Sequence, residues 1–172
     1  MNKFNLAAVC VLFSTIATPV FASNSVSMNY ALGKENGAEM MHGVNVMFKH
    51  DMNNFALVAS GTYIQNTTGA GEAYLKNKYA SIMPGIAFNI TQDISLYGLA
   101  GLSCGSKMKP NQSHEIYGGA FGAGLFYDLT DHIQLNSGYE LGIVDKKEVN
   151  TFIIGIGYLF WLSWWIKCFQ KK

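Results

Sequence analysis

Asn150-Thr151-Phe152-Ile153-Ile154-Gly155-Ile156-Gly157-Tyr158-Leu159-Phe160 is the stretch on which the fold turns. Read at period two, Phe152, Ile154, Ile156, Tyr158 and Phe160 share one face, and Thr151, Ile153, Gly155, Gly157 and Leu159 the other. One face is bulky and apolar and the other mostly small, whereas a soluble sandwich strand sets a bulky core face against a charged one. The pattern suits a strand whose outer face meets lipid and whose inner face lines a narrow barrel. Taken alone, it also fits an ordinary buried strand, and the remaining strands decide between the two.

Upstream the same alternation recurs. Val26, Met28, Tyr30 and Leu32 oppose Ser27, Asn29 and Ala31, and Val44, Val46 and Phe48 oppose Asn45, Met47 and Lys49. Phe55, Leu57, Ala59 and Tyr63 oppose Ala56, Val58, Ser60 and Thr62, less cleanly, and Ile82, Ile86 and Phe88 oppose Ser81, Gly85 and Asn89. Pro84 falls mid-strand, where its missing donor predicts a bulge or a strained pair. Ile94, Leu96, Ala100 and Leu102 lie opposite Ser95, Tyr97, Gly101 and Ser103; Tyr117, Phe121, Leu125 and Tyr127 lie opposite Gly118, Ala120, Gly122 and Gly124. In the cleanest case Ile133, Leu135, Tyr139 and Leu141 face out while Gln134, Asn136, Gly138 and Glu140 face in.

Asn- and Asp-rich turn signals at 51–54, 91–93 and 128–131 alternate with longer polar segments, Gly33–Glu39, Gln65–Ala73, Gly105–Glu115 and Val144–Glu148. Three short turns and four longer loops join eight strands and gather the long loops at one end. The expected fold is an all-β, eight-stranded antiparallel transmembrane barrel, an up-and-down meander whose interior side chains leave no water channel. Tyr30, Tyr63, Tyr117 and Tyr139 near one end, with Phe48, Phe88, Tyr127 and Tyr158 near the other, are suited to two interface girdles.

The N-terminus carries an export signal in this reading: Lys3, an apolar Leu6–Ile16, and small residues around Val20-Phe21-Ala22, with cleavage after Ala22. Cys10 lies inside that apolar stretch, and Ala7-Ala8-Val9 is a poor lipobox. The expected divisions are residues 1–22 as signal peptide, 23–160 as barrel and 161–172 as an extension. Charged residues make up 13% of the chain and the net charge is +1, which gives no nucleic-acid surface. Apolar runs are broken well short of the ~20 residues of a spanning helix.

In order along the chain, Tyr74-Leu75-Lys76-Asn77-Lys78-Tyr79, Ile94-Ser95-Leu96-Tyr97-Gly98, Gly122-Ala123-Gly124-Leu125, Ser137-Gly138-Tyr139-Glu140 and Gly155-Ile156-Gly157-Tyr158-Leu159-Phe160 closely resemble the Ail/Lom/OmpX family of enterobacterial outer-membrane proteins. The resemblance runs from about Val26 to Phe160. It implies four surface loops and an association with adhesion to host cells or matrix, invasion and resistance to complement. Members of that family stop at the terminal aromatic, read with Tyr158 as a signal by the barrel-assembly machinery. Here Phe160 is followed by residues 161–172, which hold Trp161, Trp164 and Trp165, all the tryptophans of the chain. That tail reads as an interfacial amphipathic segment, as an unselected appendage, or, joined to Phe152–Leu159, as a membrane helix. With both termini in the periplasm, Cys168 and Cys104 lie on opposite sides of the bilayer and no disulfide joins them.

Candidate chemistry is sparse. Gly101-Leu102-Ser103-Cys104-Gly105 matches G-x-S-x-G but is followed by no helical segment. His42 and His114 fall near the loop end and His50 and His132 near the turn end, without ligand spacing, so no metal or other cofactor is expected. His114 beside Glu115 reads as a solvated pair, or less favourably as the centre of a rim enzyme. Lys49 and Glu140 point inward and call for a lumen polar network. Lys34, Lys76, Lys78, Lys107, Lys109, Lys146 and Lys147 gather at the long-loop rim, suited to lipopolysaccharide phosphates and to acidic glycans or proteins of a host cell. They equally suit plain neutralisation of lipid headgroups. The expected protein is a monomeric, non-enzymatic surface barrel with host matrix or complement regulators as partners; a general envelope-integrity barrel is the alternative.

Overall fold

A computed structural model describes residues 23–35, 39–52, 54–68, 75–109, 112–144 and 147–161. The export signal and the tail beyond Trp161, with Cys168, lie outside them. Eight strands run in order: β1 (Ser23–Glu35), β2 (Met40–Met52), β3 (Phe55–Thr68), β4 (Leu75–Asn89), β5 (Ile94–Lys109), β6 (Gln112–Asp128), β7 (Ile133–Val144) and β8 (Lys147–Trp161). Each pairs antiparallel with the next, and β1 pairs with β8 from Ser23↔Trp161 to Glu35↔Val149, closing the barrel.

The faces follow the alternation. Along β7 the even residues Gln134, Asn136, Gly138 and Glu140 are buried and the odd ones largely exposed. Met28, Ile82, Leu102, Phe121 and Ile156 are more than half exposed, while Asn29, Asn45, Asn136, Gln134, Lys49 and Glu140 are at most 2% exposed. A chain with its apolar side chains outside and its amides and charges inside is stable only where lipid takes the place of water. The interior is filled: Tyr79, Phe126, Met47, Ile64, Met83 and Ile153 are fully buried. Phe152–Trp161 is strand rather than helix, so β8 closes the barrel instead of anchoring it.

Two turns share one construction. Thr91 Oγ1 accepts from the backbone N–H of Asp93 and Ile94, and Thr130 Oγ1 accepts from His132 and Ile133. Neighbouring turns are tied by Asp128 N–H to Asp93 O (2.8 Å) and Leu159 N–H to His132 O (3.0 Å).

Pro84 corrects one expectation. It pairs with Ala59 of β3, and the β4–β5 ladder breaks between Ile82↔Leu102 and Gly85↔Leu99 without changing register. No residue is inserted, so there is no bulge. The absent donor is accommodated by a local gap in one ladder, with the ring on the exposed outer face.

Candidate functional site

The asymmetry between the two ends lies in strand length more than loop length. On β6 the outward aromatics Tyr117 and Tyr127 bracket the apolar band. Ten residues at ~3.3 Å each, tilted by ~40°, rise about 25 Å, one hydrophobic thickness. β6 continues past Tyr117 to Gln112, paired with β5 as far as Lys109↔Gln112, and β5 pairs with β4 to Lys76↔Met108. Most of the polar segment 105–115 is therefore paired strand, from Gly105↔Ile116 to Lys109↔Gln112. On the other side β6 meets β7 only from Gly118↔Val144 onward, because β7 ends there and β8 begins at Lys147. Among the described residues, positions 112–117 of β6 thus have no neighbour on that side.

A recess of about 40 Å³ opens at the mouth. Tyr79, Met41, Ile116, Val144 and Val149 contribute apolar surface, and Glu35, Lys147, Asn77 and Ser106 polar groups. Lys147 Nζ lies 3.1 Å from Glu35 Oε1, joining β8 to β1 across the seam. Asn77 Oδ1 and Ser106 Oγ are buried and, among the described residues, have no hydrogen-bond partner.

The rim lysines are not one patch. Lys34 is exposed on the outer face of β1, while on the far side of the mouth Lys76 and Lys78 of β4 pair with Met108 and Ser106 of β5, so that Lys107 and Lys109 fall on the alternate parity. Lys146 lies outside the described residues.

Below the recess, Glu140 is fully buried and accepts from Tyr79 OH at Oε1 and from Thr62 Oγ1 at Oε2, both at 2.6 Å. Thr62 in turn accepts from Asn45 Nδ2, which also donates to Ser60, and Asn29 Nδ2 donates to Asn45 Oδ1. Lys49 belongs to a second cluster nearer the turns, with Asp51 and Ser95 each 3.2 Å away and the Phe126 ring 5.6 Å away. The two charges therefore sit in one polar lumen without meeting. Tyr97, packed at a tilt against Phe126 and donating to Asn136 Oδ1, lies between the two levels. Glycines make the space: a Cβ at Gly138 would fall 2.0 Å from the Tyr97 hydroxyl, and one at Gly142 would fall 2.2 Å from that of Tyr79. Sequence reasoning put Thr62 on the inner face, as found, but missed Tyr79 and Phe126 as members of this interior.

The hydrolase pattern is not realised. Gly101–Gly105 runs inside β5, and Ser103 is buried, donating to Gly119 O at 3.0 Å. Register sets His114 opposite Lys107, four residues, or roughly 13 Å, further along the strand than Ser103. Among the described residues no group of His, Cys, Asp and Glu is placed to hold a metal.

The girdles are outward as expected, and three tyrosines at the loop end find polar partners there: Tyr30 with His42, Tyr63 with Gln65, and Tyr139 with Asn150. At the opposite end Tyr158 is exposed beside the His132 ring, and Phe160 pairs with Asn24. β8 runs on to Trp161, so the added chain begins from a paired strand.

A sequence model described as outer membrane protein beta-barrel domain matches residues 8–160. Outer membrane protein X of Escherichia coli K12 is 31% identical over 90% of this chain and 95% of its own length. The attachment invasion locus protein of Yersinia enterocolitica is 28% identical over 93% of this chain and 100% of its own. Among solved structures, Ail of Yersinia pestis bound to the heparin analogue sucrose octasulfate superposes with a TM-score of 0.70 at 25% identity, covering 81% of this chain and 97% of that one.

Proposed function

The chain belongs to the Ail/Lom/OmpX family of outer-membrane β-barrels, and from that premise we propose that it is a surface attachment protein that docks host proteins on the projecting β5–β6 hairpin. The carrying observation is that positions 112–117 of β6 are paired with β5 and, among the described residues, with no strand on their other side. Such edges are usually covered or kept short, and an extended peptide completes them by adding a strand. Relatives are named for attachment and invasion, which supports the same reading. Export by residues 1–22, assembly through Tyr158 and Phe160, and function as a monomer complete the proposal.

A second reading has its own observation. Lys76 and Lys78 on one face and Lys107 and Lys109 on the other bring four lysines to the β4–β5 part of the mouth, and a relative has been solved with a sulfated heparin analogue. A polyanionic glycan is the partner that charge group favours, with lipopolysaccharide phosphate as the membrane's own counterpart.

Ser106 and Glu115 are register partners, so replacing residues 107–114 with Asn-Gly leaves a two-residue hairpin and removes the outer half of the edge. Bacteria carrying this variant should keep a heat-modifiable barrel yet lose adhesion to matrix-coated surfaces and survival in serum. Unchanged adhesion and survival would overturn the attachment reading in favour of an envelope-integrity role. Substituting only the four lysines by Gln separates the glycan reading, because it spares the backbone edge.

A further inference from the structure

Resting on the reading of the mouth lysines as a seat for a polyanionic glycan, we infer that the inner face of the β4–β5–β6 wall is that seat, that its ligand is a sulfated glycan, and that His114 tightens it as the pH falls. Strand alternation divides the charges of this wall between two faces. On the outer face, continuous with the exposed Leu102 and Tyr117, Lys78 stands opposite Ser106 and Ser106 opposite Glu115, so an acid shares the row of the lysine. On the inner face, continuous with the buried Tyr79 and Ser103, Asn77 stands opposite Lys107 and Lys107 opposite His114. Lys109 follows on the same face, opposite Gln112. His114 and Glu115, adjacent in the chain, are thereby placed on opposite faces. Along Leu75–Tyr79, Gly105–Lys109 and Gln112–Ile116 the inner face carries no Asp or Glu. The lysines there lack the acid that the outer pair has.

The spacing suits a chain of fixed anions. Lys107 and Lys109 are two residues apart, about 6.6 Å along the strand, and Lys107 and His114 are a direct cross-strand pair, about 5 Å apart. One sulfate can be shared by Lys107 and His114 while the next is taken by Lys109. A sulfate keeps its charge from neutral to mildly acidic pH, whereas an imidazole gains one over that range. The other groups at this face do not supply the same change. Lysine stays charged throughout, Lys147 and Glu35 across the mouth are joined to each other at 3.1 Å, and Tyr79 donates its hydroxyl to Glu140 below.

The test uses the full chain in phosphatidylcholine nanodiscs and a fluorescent heparin oligosaccharide, with binding read by anisotropy at constant ionic strength at pH about 7.5 and about 5.5. Unboiled gels establish that each variant is folded. Lys107→Gln with Lys109→Gln should weaken binding about tenfold, and Lys76→Gln with Lys78→Gln under about threefold. The unaltered chain should bind about fivefold tighter at the lower pH, and His114→Gln should abolish that gain. Equal losses from the two lysine pairs overturn the face assignment, and an acid gain that survives His114→Gln overturns the gating; the glycan reading stands in both cases. Displacement of heparin by lipopolysaccharide added to the nanodiscs gives the inner face to lipid phosphate and overturns the inference. No binding by the unaltered chain overturns the glycan reading together with it.

Discussion

Two tyrosines in the lumen offer the same chemical deletion in different company. Tyr79 and Tyr97 are 2% and 4% exposed, and each donates one side-chain hydrogen bond. Tyr79 donates at 2.6 Å to the carboxyl of Glu140, and Tyr97 at 3.2 Å to the amide oxygen of Asn136. A bond to a charged acceptor contributes roughly 1.5–3 kcal/mol and a neutral one roughly 0.5–1.5. Losing the Tyr79 hydroxyl also leaves Glu140 fully buried with Thr62 as its remaining side-chain donor among the described residues. Tyr79→Phe should therefore cost about 2–3 kcal/mol, a factor of roughly 30–150 in the unfolding equilibrium, and Tyr97→Phe about 1 kcal/mol or less. Urea titration of barrels in phosphatidylcholine vesicles, with folded and unfolded bands separated on unboiled gels, measures both. In a Glu140→Gln background the Tyr79→Phe cost should fall to about 1 kcal/mol, because the charge assistance has gone. Equal costs for the two tyrosines, or an undiminished cost in that background, would refute the assignment of Glu140 as the centre of the upper network.

Gly138→Ala should destabilise by about 1–3 kcal/mol because its Cβ would sit 2.0 Å from the Tyr97 hydroxyl, and Tyr97→Phe should recover part of that in the same titration, the next ring atom being 3.1 Å away. The two ion pairs should differ: Lys147→Ala, half-exposed at the seam, should cost under about 1 kcal/mol, and Lys49→Ala, 2% exposed, on the order of 3 kcal/mol. On the lipid face, Ile86→Lys should cost about 2–4 kcal/mol in the same vesicles if that face lies in the hydrocarbon. Heat-modifiable gel mobility of the full chain and of one stopped at Phe160 should shift alike, because β8 is already fully paired there; a shift in the shortened form alone would show that residues 161–172 block assembly.

The barrel was legible because period-two alternation reports which face a residue takes, and lipid-facing strands invert the usual sense of that pattern. Faces do not report cross-lumen contacts. Glu140 and Lys49 could be called inward, but that Glu140 meets Tyr79 and Thr62 while Lys49 meets Asp51 depends on the stagger of the strands around the closed barrel. Tyr79 was obscured because Lys78 and Ala80 beside it carry no apolar signal, and Phe126 because Leu125 and Tyr127 flank it with equal bulk. The inward glycines on β6 and β7 were the available clue, since each marks room for a large side chain from across the lumen. The hairpin was hidden for another reason. Lys107–Glu115 is polar on both faces once it leaves the membrane, so alternation vanishes although the strands continue, and the segment reads as loop.

Amide hydrogen exchange of the full chain in nanodiscs tests the projecting edge most directly. Every second amide between Gln112 and Tyr117 should exchange rapidly while the alternate ones, bonded to β5, and the run Gly118–Asp128 stay protected. Uniform protection across 112–117 would mean that the edge is already covered, and uniform rapid exchange that the hairpin does not hold; either would contradict a docking strand at the mouth.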